Sequence, residues 1–218
     1  MPDELLERLQ RFRDHTFPGV QDHFQDLVDN GQHPTTLFIG CSDSRIVPYL
    51  LTGAGLGELF MVRNVGAFVP PHDLSAGFHG TAAAIEYAVQ HLCVSRIIVC
   101  GHSHCGGIRA LYFGGPAGAL NLQSWLELGR EAVLPVQPSP EALRRTEQRA
   151  VVLQLERLMG YPMVRAAVEA DRLTLFLYEE IDAFRRAAEA KGLSAADVQD
   201  VFYNNARRMI DAAGEGNQ

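Results

Sequence analysis

RIIVCGHSHCGG, residues 96–107, is the stretch from which the fold of this chain can be read. Its short apolar run ends abruptly at Gly101 and is followed at once by His102, His104 and Cys105. Such a run is typical of a buried strand, and the glycine pair after the cysteine is typical of a turn that leads into a helix. The pattern therefore predicts a strand, a tight turn that carries soft metal ligands, and a helix start.

A second stretch is built in the same way. TLFIG, residues 36–40, is a short apolar run that leads directly into CSDSR, which begins at Cys41. Open α/β sheets place their sites at the carboxyl ends of parallel strands, so the two stretches are expected to meet there. Thiolate and imidazole are ligands that zinc prefers, and we predict that Cys41, His102 and Cys105 bind one zinc ion.

Length and composition narrow the class of protein. The chain has 218 residues, enough for one well-buried α/β domain. The formal net charge is −7 and the arginines are scattered, so the basic surface typical of a nucleic-acid-binding protein is missing. The first residues are acidic and amphipathic, unlike a secretory signal, and no run has membrane-spanning length. We expect a soluble, cytoplasmic protein whose partners include neither nucleic acid nor membrane.

The hydrophobic pattern predicts a single α/β domain with a mainly parallel central sheet flanked by helices. A right-handed crossover between the second and third strands puts the first strand between them. Strands are expected at residues 36–40, 59–62, 96–100 and 173–177, and helices at 5–12, 20–28, 80–92, 108–113, 120–133, 140–159 and 162–170.

The ends of the chain are expected to lie apart from this central fold. Residues 1–31 are interpreted as a helical arm and residues 178–212 as a helical tail, both belonging to one domain that spans residues 1–212. The glycine-rich segment 213–218 is expected to be disordered. Apolar residues recur at helical spacing in the arm without an obvious partner, which hints at a contact with a second subunit.

The predicted site has the composition of a catalytic zinc centre. Three protein ligands with a fourth open position mark a catalytic site, whereas four protein ligands mark a structural one. Asp43 could bind the metal itself, or a charge-assisted pair with Arg45 could hold it off. In the second case water occupies the fourth position and zinc lowers its pKa. Because two thiolates neutralise the ion, we expect weaker acidification and a more alkaline working range than at a three-histidine site.

Four motifs together resemble the β class of carbonic anhydrases. They are CSDSR, FMVRNVGAFVPP, GTAAAIEYAVQHL and GHSHCGG, and a looser match continues through YPMVRAAVEADRLTL, so that the resemblance covers roughly residues 32–175. It implies one zinc ion on Cys41, His102 and Cys105, with Asp43 and Arg45 as a paired dyad beside it. It also implies reversible hydration of carbon dioxide to bicarbonate and a proton by attack of zinc-bound hydroxide, in a homodimer or a higher homo-oligomer.

The same resemblance implies a substrate pocket. It makes Gln32 a hydrogen-bond donor to the substrate, often across the dimer interface, and His91 a proton shuttle. Gly106, which follows the cysteine ligand, favours the plant-like branch of the family, whose resting site is open. The apolar wall against which carbon dioxide lies is then formed by Phe60, Val65 and Tyr87.

Plainer interpretations and other functions stay open at this point. Cys41 and Cys105 could be buried structural thiols, and Asp43 with Arg45 could be an ordinary loop ion pair. Cys93 and Cys100 are expected in the core. His104 could be the ligand instead of His102, but its spacing to Cys105 does not match the family turn, so it is interpreted as a group beside the ligands or on the surface. The sequence after residue 177 departs from the family pattern. A non-catalytic zinc-bearing scaffold is therefore one alternative. A hydrolase of carbonyl sulfide or carbon disulfide is another, because zinc-bound hydroxide can also attack these linear molecules.

Overall fold

In the part of the chain that the structure describes, a four-stranded parallel sheet forms the centre of the fold. The computed structural model describes residues 4–72 and 79–179. Its strand order is β2–β1–β3–β4, which confirms that the first strand lies between the second and the third. The strands are β1 (Thr36–Cys41), β2 (Leu59–Asn64), β3 (Arg96–Gly101) and β4 (Thr174–Glu179).

The two central strands end level with each other. All six residues of β1 are buried, as expected of a parallel strand that is covered on both faces. Gly40 pairs with Cys100 in β3, and Cys41 pairs with Asn64 in β2. The loops that follow β1 and β3 therefore leave the sheet at the same edge and side by side.

Helices cover both faces of the sheet. Leu37, Ile39 and Ile97 belong to one core, and Phe38 and Cys100 belong to the other. No helix in the described residues is long and apolar enough to span a membrane. The helices are α1 (Glu4–Arg11), α2 (Gln21–Asn30), α3 (Pro48–Thr52), α4 (Gly80–Glu86), α5 (Gly106–Phe113), α6 (Leu120–Leu126), α7 (Pro140–Met159) and α8 (Pro162–Glu169).

Most predicted helices are confirmed, with irregular ends. The helix expected at 80–92 continues beyond α4 as a π-helical turn, and the one expected at 120–133 continues beyond α6 as a 3₁₀ segment. Ser139 caps α7, because its hydroxyl accepts a hydrogen bond from the Ala142 N–H at 3.1 Å. α3 was not predicted, although proline at its start and the left-handed Gly53 after its end are the signals of a short helix.

The last strand corrects one prediction. β4 runs to Glu179, so the prediction of helix from residue 178 is wrong for its first two residues. Pairing with β3 explains the extension, since Cys100 and Gly101 face Tyr178 and Glu179 in register. The rest of the expected tail and the segment 213–218 lie outside the described residues.

Residues 4–30 form an arm with an uncovered apolar face. α1 and α2 are joined by a π turn and a 3₁₀ turn, and no residue of these four segments is buried. Leu5 is 70% exposed, Leu9 56% and Phe12 43%. The His23 imidazole reaches the Leu56 carbonyl at 2.9 Å and so connects the arm to the rest of the domain.

Candidate metal centre

The loops after β1 and β3 bring the three predicted zinc ligands together. The ligand atoms of Cys41, His102 and Cys105 all lie within 4.8 Å of one another, and all three residues are buried. The two sulfur atoms are 4.0 Å apart. Two sulfurs bound to one tetrahedral zinc ion at the usual bond length lie about 3.8 Å apart, so this spacing fits zinc.

His102 presents one ring nitrogen to the two sulfurs. Its Nδ1 is 2.9 Å from the Ser103 carbonyl, which can only accept, so Nδ1 carries the proton and Nε2 keeps its lone pair. Nε2 is buried and has no hydrogen-bond partner within residues 4–72 and 79–179. Leaving a buried polar atom unpaired is costly, and a metal ion at this position removes that cost.

The electrostatics of the cluster also suit a cation. A shared hydrogen bond lowers the pKa of Cys41 and, together with burial, raises the pKa of Cys105, because two thiols at this distance retain one proton between them. Burial lowers the pKa of His102, but the Cys41 sulfur and the Asp43 carboxylate more than compensate, so the net shift is upward. A divalent ion displaces the remaining thiol proton. The ligand types, the distance between the two sulfur atoms and the negative charge around them therefore fit zinc.

Tight packing against α7 fixes the path of the loop that follows β3. A Cβ atom at Gly101 would lie 2.3 Å from the Val151 side chain, so α7 packs directly on the end of β3. His104 has a φ of 54°, in the left-handed region that few residues other than glycine adopt. This turn reverses the chain between the two ligands that it carries.

Asp43 lies beside the ligands and is held by Arg45. The Arg45 Nε donates to Asp43 Oδ1 at 2.9 Å and a terminal nitrogen donates to Oδ2 at 2.8 Å. The guanidinium also donates to the His104 carbonyl at 3.0 Å, which links the two ligand loops. Arg45 holds the pKa of Asp43 well below its usual range. Asp43 Oδ2 is 4.0 Å from His102 Nε2, so an ionised carboxylate faces the ligand cluster.

Three of the expected pocket residues form a row of rings. The rings of Phe60 and Tyr87 have centroids 5.7 Å apart, and those of Tyr87 and His91 are 4.6 Å apart. Tyr87 is 43% exposed, although it was expected to line a pocket. The row connects the apolar wall predicted for the substrate to an exposed histidine.

The remaining expected pocket residues, Val65, Gly106 and Gln32, lie in three different parts of the chain. Val65 is 38% exposed and packs near Gly107, at the start of α5. Open space lies over Gly106, next to the Cys105 ligand, since a Cβ atom there would meet nothing within 4 Å. Gln32 is exposed in the loop before β1 and makes no hydrogen bond to the ligands within the described residues.

The remaining cysteines and His104 can now be assigned. Cys100 is buried as expected. The expectation for Cys93 is wrong, because it is exposed and has a φ of 53° in the turn before β3, where no core surrounds it. His104 is exposed, as its interpretation as a surface group requires.

Two residues at the site were missed by sequence reasoning. Arg63 donates to the Cys41 carbonyl at 3.1 Å and to the Asp43 carbonyl at 2.8 Å, so it holds the backbone of the first ligand loop. The buried Glu147 of α7 accepts a hydrogen bond from the Cys105 N–H at 3.0 Å and holds the second loop. Both contacts join residues that are distant in sequence, and no local motif indicates them.

Removing the acceptor at residue 147 is expected to loosen the metal. We expect Glu147→Met to accelerate zinc loss to a chelator by about tenfold, because the Cys105 N–H is left buried and unpaired. Glu147→Gln keeps an acceptor oxygen and is expected to stay within about threefold of the parent. Equal rates of zinc loss from the two variants would contradict this role. Arg144→Met is the control, since Arg144 lies 3.9 Å from the same carboxylate and the substitution leaves the Glu147 acceptor in place.

The family model and two relatives that match this chain are described as carbonic anhydrases. The family model described as carbonic anhydrase matches residues 36–179. A carbonic anhydrase from Synechococcus elongatus is 38% identical over 192 residues, which cover 81% of this chain and 67% of that protein. A carbonic anhydrase from Synechocystis is 40% identical over 172 residues, which cover 78% of this chain and 56% of that protein. The chain therefore spans only part of the length of both relatives.

Solved structures give the same result. The β-carbonic anhydrase CcaA aligns with a TM-score of 0.72 and 36% identity over 80% of this chain and 82% of its own. One of two tetrameric β-carbonic anhydrases from Sordaria macrospora aligns with a TM-score of 0.68 and 30% identity over 80% of this chain and 89% of its own. With the parallel sheet and the buried Cys, His and Cys ligands, these matches show that the chain belongs to the β class of the carbonic anhydrase family.

Proposed function

We propose that this protein is a zinc-dependent carbonic anhydrase that catalyses the reversible hydration of carbon dioxide to bicarbonate and a proton. The observation that carries the proposal is the geometry at the edge of the sheet. Three buried zinc ligands lie beside Asp43, and Arg45 keeps this carboxylate ionised. A structural zinc site has no need of an ionised carboxylate held next to its ligands, whereas a hydration reaction does.

Asp43 has the role of orienting the nucleophile. When bound, zinc supplies the Lewis acidity that makes water a nucleophile near neutral pH. An ionised carboxylate only accepts hydrogen bonds, so Asp43 can take one from the attacking water and direct its lone pair at the carbon of the substrate. Oδ2 is suited to this task, since it is the carboxylate oxygen that approaches His102.

Arg45 has the role of keeping Asp43 away from the metal. It donates to both carboxylate oxygens, and its third contact, to the His104 carbonyl, ties it to the other ligand loop. A carboxylate engaged in this way is a poor fourth ligand, because binding zinc would break a charge-assisted pair. This arrangement supports the open, plant-like form of the site.

The apolar wall suits carbon dioxide. Phe60, Val65 and Tyr87 offer carbon and ring surface, and carbon dioxide, which carries no charge, loses little when it leaves water for such a surface. Bicarbonate is charged and is disfavoured at the same wall, which promotes its release. The space over Gly106 leaves room beside Cys105 for the substrate, and Gln32 is proposed to donate a hydrogen bond to it.

His91 is proposed to pass the proton to solvent. Its ring stacks on Tyr87 with centroids 4.6 Å apart, and the residue is exposed. An exposed imidazole can accept a proton at one ring nitrogen and pass it to buffer.

The protein is also proposed to form a homodimer or a higher homo-oligomer. The Sordaria relatives are described as tetrameric. Here the arm leaves Leu5, Leu6 and Leu9 exposed, and the pocket residues Val65 and Tyr87 are exposed as well. A second copy that covers these surfaces would bury apolar area at both places.

The test is stopped-flow hydration of carbon dioxide at mildly alkaline pH, with zinc content measured on the same samples. We expect turnover to rise in proportion to zinc when metal-depleted protein is reloaded. Full zinc occupancy without hydration would overturn the proposal. In that case turnover of carbonyl sulfide or carbon disulfide would identify a related hydrolase, and no turnover at all would identify a scaffold.

A further inference from the structure

The only tryptophan in the sequence forms a long-range contact next to the metal centre. Trp125 lies in α6, and its indole N–H donates to the Val65 carbonyl at 2.8 Å. Val65 begins the short 3₁₀ turn that directly follows β2. The contact therefore connects a peripheral helix to the loop beside the pocket.

The peptide that Trp125 holds also touches a zinc ligand. The Gly66 N–H donates to the Cys41 sulfur at 3.4 Å, a normal length for a hydrogen bond to sulfur. The Val65 carbonyl and the Gly66 N–H belong to one planar trans peptide unit and point in opposite directions. Fixing the carbonyl from one side therefore fixes the direction of the N–H on the other side.

The same peptide has little room to move in translation. A Cβ atom at Gly66, whose φ is 80°, would lie 2.7 Å from the Phe68 ring. A Cβ atom at Gly107 would lie 3.2 Å from both the Gly66 Cα and the Val65 side chain. These close contacts with Phe68 and Gly107 therefore set the position of the Val65–Gly66 peptide. The peptide plane can still rotate about the line that joins its two Cα atoms. The indole hydrogen bond to the Val65 carbonyl opposes this rotation.

We propose that Trp125 is a positioning residue for the zinc centre and, if the proposed function is correct, for carbon dioxide hydration. Its indole N–H holds the Val65 carbonyl, and the Val65–Gly66 peptide then directs its N–H at the Cys41 sulfur. The same hydrogen bond keeps the Val65 side chain at the pocket wall. A hydrogen bond to a ligand sulfur withdraws electron density from it, so Trp125 tunes the metal without touching it.

The test uses Trp125→Phe, which keeps an aromatic ring in α6 and removes the N–H donor. In cobalt-substituted protein we expect the thiolate-to-metal charge-transfer band to move to lower energy, because Cys41 loses its hydrogen bond and becomes a stronger donor. In the zinc form we expect kcat to fall about tenfold, with zinc content unchanged. Leu122→Ala is the matched control, since it removes packing from the same helix and leaves the indole in place. Its charge-transfer band is expected not to move.

Two results would overturn the proposal. One is a cobalt band in Trp125→Phe that coincides with those of the parent and of Leu122→Ala. The other needs no variant: with NMR-active cadmium in place of zinc, the parent protein would show no scalar coupling between the metal and the Gly66 amide proton. Both measurements are independent of turnover. A parent that fails to hydrate carbon dioxide would therefore remove the proposed function and leave the placement of the peptide to be judged separately.

Discussion

Cys41→Ser is expected to lose its zinc on dialysis. Its rate of carbon dioxide hydration is expected to be at most roughly one thousandth of the parent's rate. The Cys41 thiol lies at the end of a fully buried strand, 4.0 Å from the Cys105 sulfur. A serine hydroxyl is a hard donor that stays protonated at neutral pH, so it does not replace a thiolate on zinc. The remaining two ligands hold the ion too weakly to survive dialysis. Zinc content by elemental analysis and stopped-flow turnover on the same sample check both expectations.

Cys100→Ser is the matched control for this variant. Cys100 is also buried, and it pairs with Gly40 one residue before Cys41 in the register of β1 and β3. The substitution places the same hydroxyl at a comparable depth, so any general cost to stability is shared. We expect this control to keep one zinc ion per chain. If Cys41→Ser also kept its zinc, the proposed ligand set would be wrong.

Much of the fold could be predicted because the central strands carry strong local signals. Each is a short apolar run, and the two central runs end in a glycine or cysteine beside ligand residues. The right-handed crossover then leaves one simple order for the first three strands. The convergence of Cys41 with His102 follows from that order, so the ligand set is predictable from the sequence.

The residues that could not be predicted act through tertiary contacts. Glu147 reaches the loop after β3, and Trp125 reaches the turn after β2. Both lie in helices whose positions depend on packing, at separations of 42 and 60 residues from their partners. Each one supplies a hydrogen bond to a backbone group, and any sequence can offer such a group. Cys93 was expected in the core, but the left-handed turn before β3 brings it to the surface.

Asp43→Asn separates the two roles that the sequence left open for this carboxylate. Asparagine has nearly the same shape, but one carboxylate oxygen becomes an NH₂ group that donates hydrogen bonds. If Asp43 orients the nucleophile, zinc should stay near one ion per chain while turnover falls by roughly two to three orders of magnitude. If Asp43 is instead a zinc ligand, the variant sheds metal, and the open form of the site is wrong.

The pH dependence of this variant makes the test sharper. Arg45 depresses the pKa of Asp43, so the carboxylate is charged at every pH above that lowered value and loses its charge only in strong acid. The ratio of parent to Asp43→Asn turnover should therefore be constant from mildly acidic to alkaline pH. Arg45→Gln is the companion variant, since it removes the guanidinium and returns the pKa of Asp43 toward its ordinary range. The ratio of its turnover to that of the parent should then fall at the acidic end, where Asp43 begins to bind a proton and can no longer accept hydrogen bonds at both oxygens. A ratio for Asp43→Asn that changes across neutral pH would mean that another group orients the nucleophile.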